Sequence, residues 1–246
     1  MSDNQSTSVW TPVFLYLMLA ALLAITVALA GRVLLDWNAL KVFQVFFYVA
    51  QLGLVLAVIA LLQLVFGLFK KRKAHIKTGL LTLVSALLPL ALSVAAVGLA
   101  GFKAPMIHDI STDLDAPPEF TITNTLRTAN ENSLVYAGES IALLQREAFP
   151  DIKPIITELS PKESHAQALL AIDKLNWVLV VDDAATGIIE AYDKSSIFGF
   201  IDDVSIRIRP VNSGSQIDLR SVSRVGEGDL GANAARIHQF FKIFPK

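Results

Sequence analysis

The chain changes character near residue 102. Before that point apolar positions run almost unbroken; beyond it they alternate with polar ones. The stretches 12–30, 42–69 and 79–101 contain no ionisable residue, and each is close to or above the roughly 20 residues that cross about 30 Å of hydrocarbon. They predict three transmembrane helices. Gln44 and Gln51 stand seven residues apart and share a helix face, with Gln63 on another. Their amides are expected to hydrogen-bond between helices, since such side chains hold bundles together in lipid. Pro89 is expected to bend the third helix. The spans hold no acid or base, which argues for an anchor or docking surface rather than a proton or ion pathway.

Past residue 102 the pattern shortens. Pro105, Pro117 and Pro118 keep the chain extended through Phe120. Ile141, Leu144 and Ala148 then predict a short amphipathic helix over 138–149, ended by Pro150. Ser160, Pro161 and Glu163 form a capping box with proline at the first position, which starts a helix reaching about Leu175 with Leu169, Ile172 and Leu175 inward. Residues 177–181 and 188–192 read as strands. Val204, Ile206 and Ile208 alternate with Ser205, Arg207 and Arg209, and Ile217 and Leu219 alternate with Asp218 and Arg220. With a turn at Asn212, Ser213 and Gly214, this is an antiparallel hairpin. A pairing of Arg209 with Asp218 sets Arg207 opposite Arg220 and Asp203 opposite Arg224, all on one face. Asp229 is the expected N-cap of a last helix, whose Ile237, Phe240, Phe241 and Phe244 cover the aliphatic face. The expected fold is therefore a transmembrane bundle of three helices followed by an α+β domain with an antiparallel sheet packed on helices. Its parts are a membrane anchor at 1–102, an acidic extended linker with a short helix at 103–158, and an α+β domain at 159–246.

Composition sharpens this division. The 246 residues are 53% hydrophobic with mean hydropathy +0.53, an excess that lies almost wholly before residue 102. That part carries 7 basic and 2 acidic residues against 14 and 20 beyond it, so the net charge of −1 conceals +5 and −6. The acidic second part excludes a nucleic-acid footprint. The basic run at 70–73, with Lys77 after it, places that loop on the cytoplasmic side and suits anionic headgroups. The amino terminus is then cytoplasmic and everything after residue 101 periplasmic. Ala28, Leu29 and Ala30 imitate a signal-peptidase site, but residues 1–8 lack positive charge, so the first span is expected to stay uncleaved. There is no cysteine, which excludes disulfides and thiolate chemistry.

The sharpest candidates for function are Arg207, Arg209, Arg220 and Arg224, whose forked guanidiniums can hold a carboxylate or phosphate on a partner. Cross-strand pairing with Asp218 and Asp203, or cover by the acidic linker, would occupy the same groups. Phe198 and Phe200 flank Gly199 in a bend and serve either as core or as an aromatic tip for a partner. His108 with Asp109, Asp113 and Asp115 is a weak metal candidate whose spacing matches no known ligand loop. GEGDLG at 226–231 fits a dinucleotide fingerprint literally, yet it lacks the following strand and acid, and Asp229 would stand where a phosphate must sit. Asp202 with Asp203, and Asp182 with Asp183, point to opposite sides of their strands as neighbours do. His165 and His238 have no nucleophile motif beside them.

Four separated segments occur in order: IHDISTD at 107–113, QREAFPDI at 145–152, IFGFIDDVSIRIRP at 197–210 and RSVSRVGEGDLGANAARI at 220–237. Together they resemble the domain-of-unknown-function family 1499 (DUF1499) over residues 107–246. The resemblance implies bacterial envelope and plastid relatives with no agreed activity, some with a membrane anchor, and no catalytic residue carries over from it. The expected function is a noncatalytic, inner-membrane-anchored protein whose periplasmic domain binds or scaffolds a membrane or periplasmic partner, needing no cofactor or nucleotide. The alternatives are a domain for lipid or a small anion, which predicts an apolar cavity between sheet and helices, and a metal-dependent hydrolase built on the His108 cluster.

Overall fold

A computed structural model describes residues 10–98, 101–212 and 214–245. Residues 1–8, the positions 99–100 of the third apolar run and Ser213 of the expected turn lie outside the described residues. The chain divides into two compact units, Met1–Leu99 and Ala100–Lys246.

The first unit consists of α1 (Trp10–Leu35), α2 (Ala39–Phe69) and α3 (Lys73–Val97). All three are long and apolar enough to cross a membrane. Helix α2 begins before its apolar run because the Asn38 side chain accepts hydrogen bonds from the backbone N–H groups of Leu40 and Lys41. Its buried residues Val42, Phe46, Val49, Gly53, Leu56 and Ala60 recur at alternating steps of four and three, the heptad seam of packed helices. Small residues let α2 and α3 approach closely: a Cβ on Gly53 would stand 2.9 Å from the Ala86 carbonyl oxygen, and one on Gly79 equally near that of Ala60. Pro89 lies inside α3. The glutamines depart from expectation. Gln44 and Gln51 are both exposed, away from α1 and α3, because nine residues at about 100° each turn Gln51 to the side of α2 opposite Val42. Gln63 is half-buried, and its buried Oε1 has no hydrogen-bond partner among the described residues.

The second unit opens with a single 3₁₀ turn (Gly101–Lys103) and continues through β1 (Asp109–Ser111), α4 (Thr123–Leu126), α5 (Glu139–Ala148), β2 (Ile155–Thr157) and α6 (Pro161–Lys174). Then follow β3 (Val178–Asp183), β4 (Ile188–Lys194), β5 (Ile201–Val211), β6 (Gly214–Ser223) and α7 (Ala232–Ile243). The six strands form one antiparallel sheet ordered β1-β6-β5-β4-β3, with β2 also on β6. Residues 103–158 thus supply two strands of the sheet. Between β1 and β2 the ladder continues through Thr112, whose N–H donates to the Leu219 carbonyl and whose Oγ1 accepts from the Leu219 N–H.

Helices α6 and α7 cover one face of the sheet. Ile189, Val204, Ile206, Ile217 and Leu219 are fully buried there with Ile172, Ile237 and Phe240, each buried side chain contributing about 1.5–3 kcal/mol of transfer free energy. Trp177 and Phe240 stack with centroids 6.0 Å apart, and Phe240 with Phe244 at 5.5 Å. The capping box of Ser160 and Glu163 starts α6. Two local expectations change. The N-cap of α7 is Gly231, held at φ 80°, while the Asp229 carboxylate accepts from the N–H groups of Gly231 and Asn233; burial, partly offset by those bonds, raises its pKa. In α5 the buried face is Ala142 and Gln145, whereas Leu144 and Ala148 are exposed. Gln145 is buried for a reason the hydrophobic pattern hides: its amide accepts from the Ser111 N–H at 3.0 Å and donates to the Ser111 carbonyl at 2.6 Å, closing the free edge of β1.

Candidate binding surface

The second face of the sheet carries charge. Alternation puts Asp203, Ser205, Arg207 and Arg209 of β5 on it, together with Asp218 and Arg220 of β6 and Glu190 of β4. The register pairs Arg207 with Asp218, Arg209 with Gln216 and Ser205 with Arg220. The pairing expected from sequence, Arg209 with Asp218, is corrected by two residues, because Val211 pairs with Gly214 and only two positions close the hairpin. A slip of two preserves the faces, so the four arginines do share one side.

Residues 112–136 lie over this side as a polar strap, and almost every group beneath it is engaged. Arg220, 2% exposed, forms a fork with Asp109 at 3.0 and 2.7 Å and donates to the Pro118 and Leu134 carbonyls. Its guanidinium lies between the Phe120 and Tyr136 rings, 5.5 and 5.4 Å from their centroids. Asp203 is fully buried between Arg127 and Arg224, each at 2.8 Å. Burial lowers the Arg127 pKa despite Asp203; for Arg224 burial acts the same way, but the hydrogen bonds and charge of Asp203 outweigh it and raise the value. Arg207 and Arg209 share Asp113 and Asp218. Glu190 accepts from Thr121 through its N–H and hydroxyl and from the Thr123 N–H at 2.8 Å. Burial would raise the Glu190 pKa, and these hydrogen bonds reverse that, leaving it lowered. Ser205 donates to the Glu119 carbonyl. Burial pushes the Tyr136 phenol, whose hydroxyl has no partner among the described residues, up to about 12.

Five arginines (127, 207, 209, 220 and 224) therefore meet four acids (Asp109, Asp113, Asp203 and Asp218), while Glu190 is held by Thr121 and Thr123. Arg209, though paired with Asp113 and Asp218, is the most exposed of these five arginines, with its side chain 42% exposed. Beside Asp113 and Gln216, its neighbours, opens a groove of about 530 Å³ lined also by Arg146, Phe149, Ile152 and Lys153. Arg146 and Lys153 are exposed, Arg146 paired with Glu139 at 2.7 Å, so the groove joins an apolar floor to a rim that carries these cations and the carboxylates of Asp113 and Asp115. A second groove of about 510 Å³ runs along the strap beside Arg127, Tyr136 and Arg220, but the guanidiniums there are already saturated.

Phe198 is 7% exposed and Phe200 half-buried, with rings 5.9 Å apart; Gly199 between them turns the chain at φ 75°. His108 contacts the Glu227 carbonyl at 3.2 Å, whereas Asp109 binds Arg220, Asp113 binds Arg207 and Arg209, and Asp115 lies 3.9 Å from Arg146. Among the described residues no group of three or more His, Asp or Glu side chains is arranged to hold a metal. Asp202 and Asp203 point to opposite faces, Asp202 to Arg236 of α7 at 2.7 Å. Asp182 reaches His165 at 2.6 Å, while Asp183 closes the next turn on Thr186. His238 contacts Asp151. In the GEGDLG segment a Cβ on Gly228 would meet Met106 at 3.1 Å, so that glycine serves close packing. Sequence reasoning missed Arg127, Tyr136 and Glu190. Glu190 had a usable signal, since it alternates with Ile189 and Ala191 as Arg207 does with Ile206 and Ile208; Arg127, 76 residues from its partner Asp203, had none.

A family model described as a protein of unknown function, DUF1499, matches residues 109–244, which is 136 of the 246 positions. No match was found among curated proteins. The matched span begins at β1 and ends at the close of α7, so it takes in the whole sheet, the strap and both covering helices: the chain belongs to the DUF1499 family.

Proposed function

We propose that the protein is a noncatalytic, membrane-anchored binding module of the bacterial inner membrane, with a cytoplasmic amino terminus and a periplasmic DUF1499 domain that docks a membrane or periplasmic protein. The basic run at 70–73 between α2 and α3 supports this orientation by the loop-charge rule. The observation that carries the binding role is the groove beside Arg209. It joins apolar surface at Phe149 and Pro150 to the exposed cations Lys153 and Arg146, the latter also paired with Glu139, next to the half-exposed Arg209, and this suits a partner segment with acidic residues flanking an apolar one. The noncatalytic reading is supported by the engagement of Asp109, Asp113, Asp203 and Asp218 with arginines, which keeps them from acid–base work. A buried lipid is disfavoured by the filled interface between the sheet and α6 and α7.

The test uses the full protein in native membranes with a photo-crosslinking residue at Lys153, and separately at Leu170, an exposed position of α6. Capture of one defined protein from position 153, absent from position 170 and lost on Arg209→Glu with Arg146→Glu, is the expected result. Equal capture from both positions, or capture indifferent to the charge reversals in a protein that remains folded, overturns the proposal. Retention of a small anion at the groove without any protein partner supports the anion-binding alternative instead.

A further inference from the structure

Helix α2 carries two heptad seams and uses one of them within the chain. The first is the buried series Val42, Phe46, Val49, Gly53, Leu56 and Ala60. The second, two positions on, is Gln44, Tyr48, Gln51, Val55, Val58 and Leu62, with the same alternation of four and three. At about 100° per residue it lies some 200° around the helix, and all six of its members are exposed. Tyr48 is 63% and Leu62 65% exposed. Gln44 and Gln51 have no side-chain hydrogen bond among the described residues, and nothing in α1 or α3 stands over them.

Gln51 lies twelve residues from the start of α2 and eighteen from its end, so at about 1.5 Å per residue it is about 18 and 27 Å from the two ends. A hydrocarbon layer about 30 Å thick centred on the helix encloses it, and its short side chain reaches neither interface. Gln44, about 7 Å from the helix start, sits at the edge of that layer. An amide held in hydrocarbon without a partner is costly. Lipid tails offer no donor or acceptor.

We infer that the protein forms a parallel homodimer in the membrane through this second seam of α2, with Gln51 hydrogen-bonded reciprocally to its counterpart in a second copy. The primary amide carries both a donor and an acceptor, so across a two-fold axis along the membrane normal two such groups at the same depth satisfy each other. A second copy therefore supplies the complement at the right depth without any further requirement, as an isologous interface does. One polar residue within an otherwise apolar heptad seam also fixes register and oligomer state, and on this helix Val55, Val58 and Leu62 supply the apolar remainder.

The chain has no cysteine, so single introduced cysteines report the contact directly. In native membranes, Val55→Cys lies on the seam and Leu61→Cys lies about 100° away from the buried stripe, still 50% exposed to lipid. Oxidation is expected to link Val55→Cys into a dimer of this chain with a yield at least about fivefold above that of Leu61→Cys, and Gln51→Leu in the Val55→Cys background is expected to lower the yield by a similar factor. Gln51→Asn, which keeps an amide, is expected to retain more of it. Equal linkage from both positions, a yield indifferent to Gln51→Leu, a single copy in lipid nanodiscs by native mass spectrometry, or linkage of Val55→Cys to a different protein each overturns the inference.

Discussion

The two faces of the same sheet are held by opposite kinds of force. Under α6 and α7 the contacts are aliphatic and aromatic, Ile189, Ile206, Leu219, Ile237 and Phe240, and their worth grows with area regardless of exact partners. Under the strap the contacts are forks of arginine on carboxylate, and each depends on a particular partner. An apolar layer weakens in proportion to what is removed. A buried ion pair adds little net stability when whole, yet costs several kcal/mol when one member is lost, because the other is left charged without water. The helix side therefore supplies most of the fold's stability, and the strap side fixes where one segment lies.

That difference can be broken from either side. Phe240→Ala should destabilise the whole second unit by about 3–5 kcal/mol. Asp203→Ala strands Arg127 and Arg224 at a cost of about 3–5 kcal/mol, but the loss should be local, releasing residues 112–136 to protease while the helix side holds. Limited proteolysis of the full protein in micelles, with denaturant unfolding read at Trp177 after Trp10 and Trp37 are replaced by Phe, separates the two outcomes. If Asp203→Ala unfolds sheet and helices together with the strap, the faces do not differ in this way.

A smaller effect follows pH. The Glu190 pKa is lowered in the folded protein, so its stabilising contribution is fully present above the unfolded value of about 4.3 and disappears as pH falls through the folded one. Glu190→Gln should cost about 1–3 kcal/mol at pH 7, and the gap to the parent protein should narrow as pH falls below the unfolded value of about 4.3. A gap that is constant from pH 7 to 3 would remove the carboxylate from the account.

Period-2 alternation made the two faces legible, because Val204, Ile206 and Ile208 could only lie opposite Arg207 and Arg209. It left the register undetermined by two residues, since faces survive an even slip and only the hairpin closure at Val211 and Gly214 decides it. The capping box at Ser160 and the phenylalanine stripe of α7 were equally plain. The strap was not, because its partners are distant in sequence: Asp109 lies 111 residues from Arg220, and Thr121 lies 69 from Glu190. Strand β1 also escaped detection, being three residues long with its free edge closed by a glutamine side chain rather than by another strand. In the first unit the apolar runs showed the helices but not their orientation about their own axes, and so Gln44 and Gln51 were expected inside a bundle that in fact turns them outward.

Hydrogen exchange on the full protein in nanodiscs tests most directly whether the charged face is a closed internal layer. The amides of Thr112, Thr123 and Asn132 donate to Leu219, Glu190 and Arg224, and they should exchange nearly as slowly as those of β5 and β6. Rapid exchange of all three while β5 and β6 stay protected would mean that the strap is loose and the arginines are open to solvent, contrary to the structure of this face.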